Sequence, residues 1–405
     1  MSPAILLLTS QAKTVHSGVG TYARMLLRGL PAAAPEHGLH VATWREEIDP
    51  ELAGVQWIDL GPRSRRDPTP GRFWSFGRRA AAVLGDRLVT FDVVHCLDAR
   101  DGHAPGQRPR ALAPRLVGTV HDDYAAQVRG SPWHYVGRAA DPLRRWLFHR
   151  WLRHVERRAY ARFDRLLVNS AATAATLQRE YGLDRPLWPT TLTIDGATAV
   201  APLRLQGQPC LVFCGGNFYR KGLDTCVRAM AALRPVLPAA QLHVLGSCSS
   251  SPRLERLARR LGVAGQVVFH GRLAPAMVAA HLAAADQFVM PSRTEALGLV
   301  YLEAFRAGVP VIAGDRGGVV EIVRHGESGL NVPPERPDAL AQAIVALHGD
   351  GALRARLVAG GHRVLATRPP QRLLEETLRC YGLGPSLAPL PARVLPAAAA
   401  AEVRA

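Results

Sequence analysis

Lysine is nearly absent from this 405-residue chain, so almost all of its positive charge is arginine. Cysteine is also sparse. Cys96, Cys210, Cys214, Cys226, Cys248 and Cys380 form no CxxC pair and have no histidines at ligand spacing. This excludes a disulfide scaffold and a zinc finger; buried free thiols in a reducing cytoplasm are the expectation. No apolar run reaches the roughly 18 residues of a membrane span. The opening "MSPAILLLTSQ" lacks a basic flank before its short apolar run, so it reads as a first strand and not as a signal peptide. No RNA-binding signature is present, which argues against nucleic acid as a partner.

What is present points to a large folded protein. The hydrophobic fraction of 48% is ample for real cores, and the length suits two or three domains. The formal charge is +17, which favours anionic partners: nucleic acid, anionic lipid or phosphorylated substrates. The charge is concentrated in "PLRRWLFHRWLRHVERRAYARFDR", residues 142–165, where Arg144, Arg145, Arg150, Arg153, Arg157, Arg158, Arg162 and Arg165 alternate with aromatic and aliphatic side chains. A basic amphipathic helix of this composition suits an anionic membrane surface, although the arginines of an ordinary packed helix would also be solvated.

Apolar strand-like runs alternate with helical patterns along the chain. "AILLLT" (4–9) leads into the glycine loop "HSGVGTY" (16–22), then a helix. "LHVATW", "VQWIDL", "FDVVHCL", "RLVGTVHD" and "FDRLLVNS" are further strands, with Ser170 placed to cap the helix "AATAATLQREYGL". A Pro-, Thr- and Gly-rich stretch without periodicity marks a linker near residues 185–208. The alternation then restarts at "CLVFCGG" and continues through "QLHVLGS", "QVVFHG", "DQFVMPS" and "VPVIA". Strand–helix alternation means a parallel sheet. Its recurrence predicts an α/β protein of two doubly wound domains with a cleft between them. The expected divisions are 1–190, a linker at 191–208, 209–368, a returning helix at 369–384 and a disordered tail at 385–405.

The chemistry concentrates in "TEALGLVYLEAFRAGVPVIA", residues 294–313, where Glu295 and Glu303 stand in an otherwise apolar stretch. Gly308 and Pro310 stop a helix that starts near Gly298. Glu295 therefore falls in the loop at a strand's carboxyl end, and Glu303 one turn inside the helix. Open amides at Leu297, Gly298 and Leu299 would attract a phosphate. In "FCGGNFYRKGLDT", residues 213–225, Arg220 and Lys221 precede another helix and suit a diphosphate.

These residues carry a resemblance. The segment "MPSRTEALGLVYLEAFRAGVPVIAGDRGGVVEIVRHGESGLNVPP" resembles the Glu-x7-Glu region of retaining glycosyltransferases of family 4, and the 213–225 loop is similar to that of lipopolysaccharide-core glucosyltransferases within it. The resemblance implies the GT-B fold, two Rossmann-like domains facing a central cleft. It also implies a nucleoside-diphosphate sugar donor, UDP-linked as the first expectation, and a glycan or lipid-linked acceptor. Neither cofactor nor bound metal is implied, so Asp122 in "HDDY" is not taken as a metal ligand.

Carried over residue by residue, Glu295 contacts the donor sugar with the amides of Ala296, Leu297, Gly298 and Leu299. Glu303 holds the ribose, and Arg220 and Lys221 hold the pyrophosphate. Gly18 and Gly20 form the N-terminal glycine loop, His121 lies near the reaction centre, and Arg272 and Leu273 border the base. His95 is a candidate cleft-lining group, and Glu321 is read as structural support. Two positions depart from the family: Gly216 stands where an arginine is usual, and Asp195 in "PTTLTIDGA" stands in for an Asn-Gly-Val-Asp turn. The expected setting is the cytoplasm, with envelope polysaccharide synthesis as the process, and the charge of the basic loop and helix suits peripheral contact with the inner face of the membrane. A sugar-nucleotide epimerase of the same fold and a non-catalytic nucleic-acid-binding protein are the competing readings.

Overall fold

The computed structural model describes residues 3–14, 17–63, 71–102, 115–121, 142–194, 203–248 and 250–384. Asp122, Asp195 and the expected tail at 385–405 lie outside them. The chain divides into two compact units, one drawn from Met1–Asp123, Trp146–Leu192 and Pro370–Ala405, the other from Tyr124–Arg145 and Thr193–Pro369.

The first unit is built on seven parallel strands: β1 (Ala4–Leu8), β2 (Gly38–Thr43), β3 (Val55–Asp59), β4 (Val93–Cys96), β5 (Arg115–Val120), β6 (Arg165–Val168) and β7 (Trp188–Pro189). Their order is β3-β2-β1-β4-β5-β6-β7, so the chain reverses direction of winding after β3. The near-continuous apolar sequence of β1 and β4 follows from burial on both faces. Strand β7 falls inside the expected linker: Leu167 pairs with Trp188 and Val168 with Pro189. Its proline is tolerated because β7 is an edge strand with a free side.

The last helix, Pro370–Tyr381, belongs to this unit and buries Leu373, Glu376, Thr377, Cys380 and Tyr381. The buried Glu376 carboxylate accepts from the Thr191 hydroxyl at 3.0 Å, and Arg372 donates to it at 2.9 Å.

The second unit has six parallel strands: β8 (Cys210–Cys214), β9 (Gln241–Leu245), β10 (Val267–Gly271), β11 (Gln287–Met290), β12 (Val311–Gly314) and β13 (Leu330–Val332). Their order is β10-β9-β8-β11-β12-β13. Again the winding reverses beside the first strand, so the loops leaving β8 and β11 emerge side by side at the carboxyl edge. In open α/β sheets that switch point is where ligands bind.

Candidate active site

Apart from Arg272 and Leu273, the sequence-predicted residues of the second unit meet at this switch point. Loop 215–222 leaves β8 and leads into the helix Leu223–Leu233; loop 291–298 leaves β11 and leads into the helix Leu299–Arg306. Glu295 is only 9% exposed. Its Oε2 accepts from Lys221 Nζ at 2.7 Å, and its Oε1 lies 3.5 Å from Arg220 Nη1. Burial alone would raise the Glu295 pKa, but the Lys221 and Arg220 charges outweigh it and hold the carboxyl below the ordinary glutamate value. Its backbone is fixed as well, because Gly318, in the loop after β12, donates its N–H to Glu295 O at 2.8 Å.

Gly298 ends this loop at φ 86°, and a Cβ there would fall 2.6 Å from the Tyr301 ring, so only glycine makes the turn. Tyr301 in turn anchors its hydroxyl on Met290 O at 2.7 Å. No side chain caps the helix that starts at Leu299, which leaves its first amides available to a ligand. Ala296 and Leu297 line the approach, Leu297 buried and Ala296 half-buried.

Glu303 lies on the next turn, half-buried, and among the described residues its carboxylate makes no hydrogen bond or ion pair. Burial pushes its pKa up, against a weaker opposing pull from Arg306. At the end of β8, burial and the Glu303 charge push the Cys214 thiol up to about 12, so it stays neutral. A half-buried carboxylate without a hydrogen-bond donor among the described residues is a group prepared to accept hydrogen bonds from something else. Arg272 and Leu273 follow β10, two strands away, with Arg272 exposed. Glu321 closes the short 3-10 segment Gly318–Glu321.

Arg293 and Asp224 were not legible as site residues. Arg293 Nη1 and Nη2 donate to Asp224 Oδ1 and Oδ2 at 2.8 and 2.9 Å. The only sequence signal was the position of Arg293, two residues before Glu295.

The first unit gathers its own polar groups at the carboxyl ends of β1, β4 and β5. Gly18 and Gly20 stand in the first turn of the helix Gly18–Ala33, not in a free loop, because Ser17 caps that helix and accepts from Gly20 N at 2.9 Å. A Cβ at Gly20 would lie 1.9 Å from Thr14 O, so the preceding loop presses against the helix start. That loop is held by the buried Glu47 carboxylate, which accepts from the Lys13 and Thr14 amides at 2.8 and 2.9 Å.

His121 follows β5. It is 8% exposed, donates from Nε2 to Leu97 O at 2.7 Å, and meets the Tyr22 ring edge-on at 4.8 Å. Asp98 and Asp101 are buried close by. Arg100 forks onto Asp98, and burial together with the Asp98 charge pushes the Asp101 pKa up to about 7.

His95 is not a lining group. It is fully buried, with Nδ1 bonded to Tyr381 OH at 2.6 Å and Nε2 to Thr119 Oγ1 at 2.8 Å. Burial, with a smaller contribution from the His121 charge, lowers its pKa to about 3. Nδ1 fastens the last helix to the sheet, and Nε2 ties β4 to the neighbouring strand β5.

The basic aromatic segment forms the helix Pro142–Tyr160, and Arg165 lies beyond it on β6. Leu152, Glu156, Ala159 and Tyr160 face inward, whereas Leu143, Trp146, Leu147 and Trp151 are 58, 52, 51 and 40% exposed. Arg150 stacks over Trp146 at 4.7 Å. No helix among the described residues is long and apolar enough to cross a membrane.

Comparison with known proteins agrees with this layout. Residues 16–190 match the family model "Glycosyltransferase Family 4", and residues 208–350 match "Glycosyl transferases group 1". The D-inositol 3-phosphate glycosyltransferase of Acidothermus cellulolyticus is 30% identical over 376 residues, covering 85% of this chain and 80% of that protein. The GDP-mannose-dependent alpha-(1-6)-phosphatidylinositol monomannoside mannosyltransferase of Mycobacterium tuberculosis is 41% identical over 165 residues. That match covers 39% of this chain and spans only 42% of the relative's length. Among solved structures, WaaG, a glycosyltransferase involved in lipopolysaccharide biosynthesis, superposes with a TM-score of 0.67 at 20% identity, covering 92% of this chain and 98% of that one.

Proposed function

We propose that this chain, which belongs to glycosyltransferase family 4 and has the GT-B fold, moves a hexosyl group from a nucleoside-diphosphate sugar to a glycan or glycolipid acceptor with retention of configuration. The observation that carries the reading is the buried Glu295 carboxylate held against Lys221 at 2.7 Å, one element from Glu303, whose carboxylate makes no hydrogen bond among the described residues. Arg220 and Lys221 take the donor pyrophosphate, Glu295 the sugar hydroxyls and Glu303 the ribose.

As the bond from the sugar C1 to the phosphate oxygen breaks, negative charge grows on that oxygen. The two cations and the amides of the helix starting at Leu299 stabilise it, the electrostatic contribution that usually dominates. The acceptor hydroxyl enters on the same face, bonds to C1 and gives its proton to a departing phosphate oxygen. The products are the glycoside and the protonated nucleoside diphosphate. In this reading the cations neutralise the leaving group without a metal, and activity survives chelation by EDTA.

UDP is the nucleotide expected from the sequence resemblance to lipopolysaccharide-core enzymes. GDP is the second reading, favoured by the name of the 41%-identical mycobacterial relative. The exposed tryptophans and arginines of the helix Pro142–Tyr160 support a reading in which the acceptor is met at an anionic membrane surface on the cytoplasmic side. The test is a transfer assay with UDP-glucose, UDP-galactose, UDP-N-acetylglucosamine and GDP-mannose, with and without vesicles containing phosphatidylinositol. NMR of the product reads the anomeric configuration. One donor is expected to give a retained product, with Glu295→Gln and Lys221→Ala folded but inactive. An inverted product, or full activity in either variant, overturns the assignment.

A further inference from the structure

We propose that Arg293 is the positioning residue of the donor site: one guanidinium grips the backbone and ring of Tyr219 and the carboxylate of Asp224, and so fixes Arg220 and Lys221 against Glu295. The proposal rests on the reading of this sheet edge as the donor site.

The geometry is specific. The Arg293 amide donates to Arg220 O at 2.8 Å, which zips loop 291–298 to loop 215–222. Its side chain then reaches past the cations in both directions. Toward the start of the loop, Nη1 donates to Tyr219 O at 2.5 Å, and the guanidinium carbon lies 4.2 Å above the Tyr219 ring. Toward the helix, the fork closes on both oxygens of Asp224. Residues 219 and 224 bracket Arg220 and Lys221, so a single planar group holds both ends of the cationic segment. The Arg293 and Asp224 side chains are 12 and 22% exposed, sheltered enough for the pair to hold one geometry. Glu295 lies two residues beyond Arg293, so the clamp sets the carboxylate and its cations by the same contact. Lysine keeps the charge but has neither the fork nor the flat face, so it replaces this group only in part.

The test compares the full chain with Arg293→Met, Arg293→Lys, Asp224→Asn and the Met/Asn double variant. Each is measured for UDP and GDP binding by calorimetry, for kcat and KM of transfer, and for the pH dependence of kcat. Misplacement of the cations is expected to lower kcat about 10- to 100-fold in Arg293→Met and Asp224→Asn. The double variant is expected to be no worse than the single ones, because both break one contact.

The decisive readout is the acid limb of the pH profile. Glu295 faces Lys221, Arg220 and the Tyr301 hydroxyl. With its cations displaced, Glu295 gains a proton more readily, and the limb moves to higher pH. Arg293→Lys is expected to restore it in part. If Arg293→Met does not fold, the Lys and Asn variants read the same limb. An unmoved limb, with kcat falling only in proportion to the folded fraction, overturns the clamp and leaves the donor site standing. A parent protein that binds neither UDP nor GDP overturns the donor site, and the clamp with it.

Discussion

Lys221→Met removes the nearer of the two cations that neutralise a buried carboxylate. Glu295 is 9% exposed, and Lys221 lies at 2.7 Å against 3.5 Å for Arg220. Removing one partner of a buried pair costs about 3–5 kcal/mol. Arg220 stays, so the lower end applies, about 3 kcal/mol, or roughly a hundredfold in the folding equilibrium. For a unit of this size that corresponds to a drop in melting temperature of about 6–12 °C. Transfer loses a donor aimed at the leaving oxygen, about 10²- to 10³-fold in kcat.

The pH dependence fixes the cause. In the folded parent the Glu295 pKa is held below the ordinary 4.5. The stability this contributes is therefore complete above pH 4.5 and is lost as pH falls through the folded value. The gap between parent and variant should be full at pH 7 and close progressively below pH 4.5. Calorimetric melts from pH 7 to pH 3, paired with a transfer assay, measure both effects. A variant with the parent's melting temperature at pH 7, or a gap independent of pH, refutes the reasoning.

Other outcomes follow from the same contacts. Tyr381→Phe leaves the buried His95 ring without one of its two partners and should cost about 1–3 kcal/mol in urea unfolding. The His95 pKa of about 3 lies below its unfolded value, so the unfolded chain binds the extra proton and stability should fall as pH drops below 6.5. His95→Gln should flatten that limb. Gly298→Ala forces a left-handed backbone, about 1–2 kcal/mol, and adds a contact with the Tyr301 ring; it should lower transfer more than Gly326→Ala, whose Cβ would meet open space at a similar φ of 75°.

Much of the frame was legible because it depends on local signals. The strand–helix alternation, the Ser170 cap on the helix Ala171–Tyr181 and the helix between Gly298 and Ala307 are set by neighbours in sequence. Strand β7 was hidden because it is two residues long and carries a proline. The role of His95 was hidden because its partner Tyr381 lies 286 residues away, and no periodicity reports such a contact. Arg293 and Asp224, 69 residues apart, were hidden for the same reason. The two glycines read as a loop belong to a helix because the cap at Ser17 outweighs the low helix propensity of glycine.

Amide hydrogen exchange of the full chain with and without UDP or GDP tests the central claim most directly. The account predicts slower exchange at residues 215–222 and 294–303 with one of the two nucleotides, and loss of that protection in Lys221→Ala. Tight nucleotide binding that leaves both segments unchanged, with protection elsewhere, would contradict it.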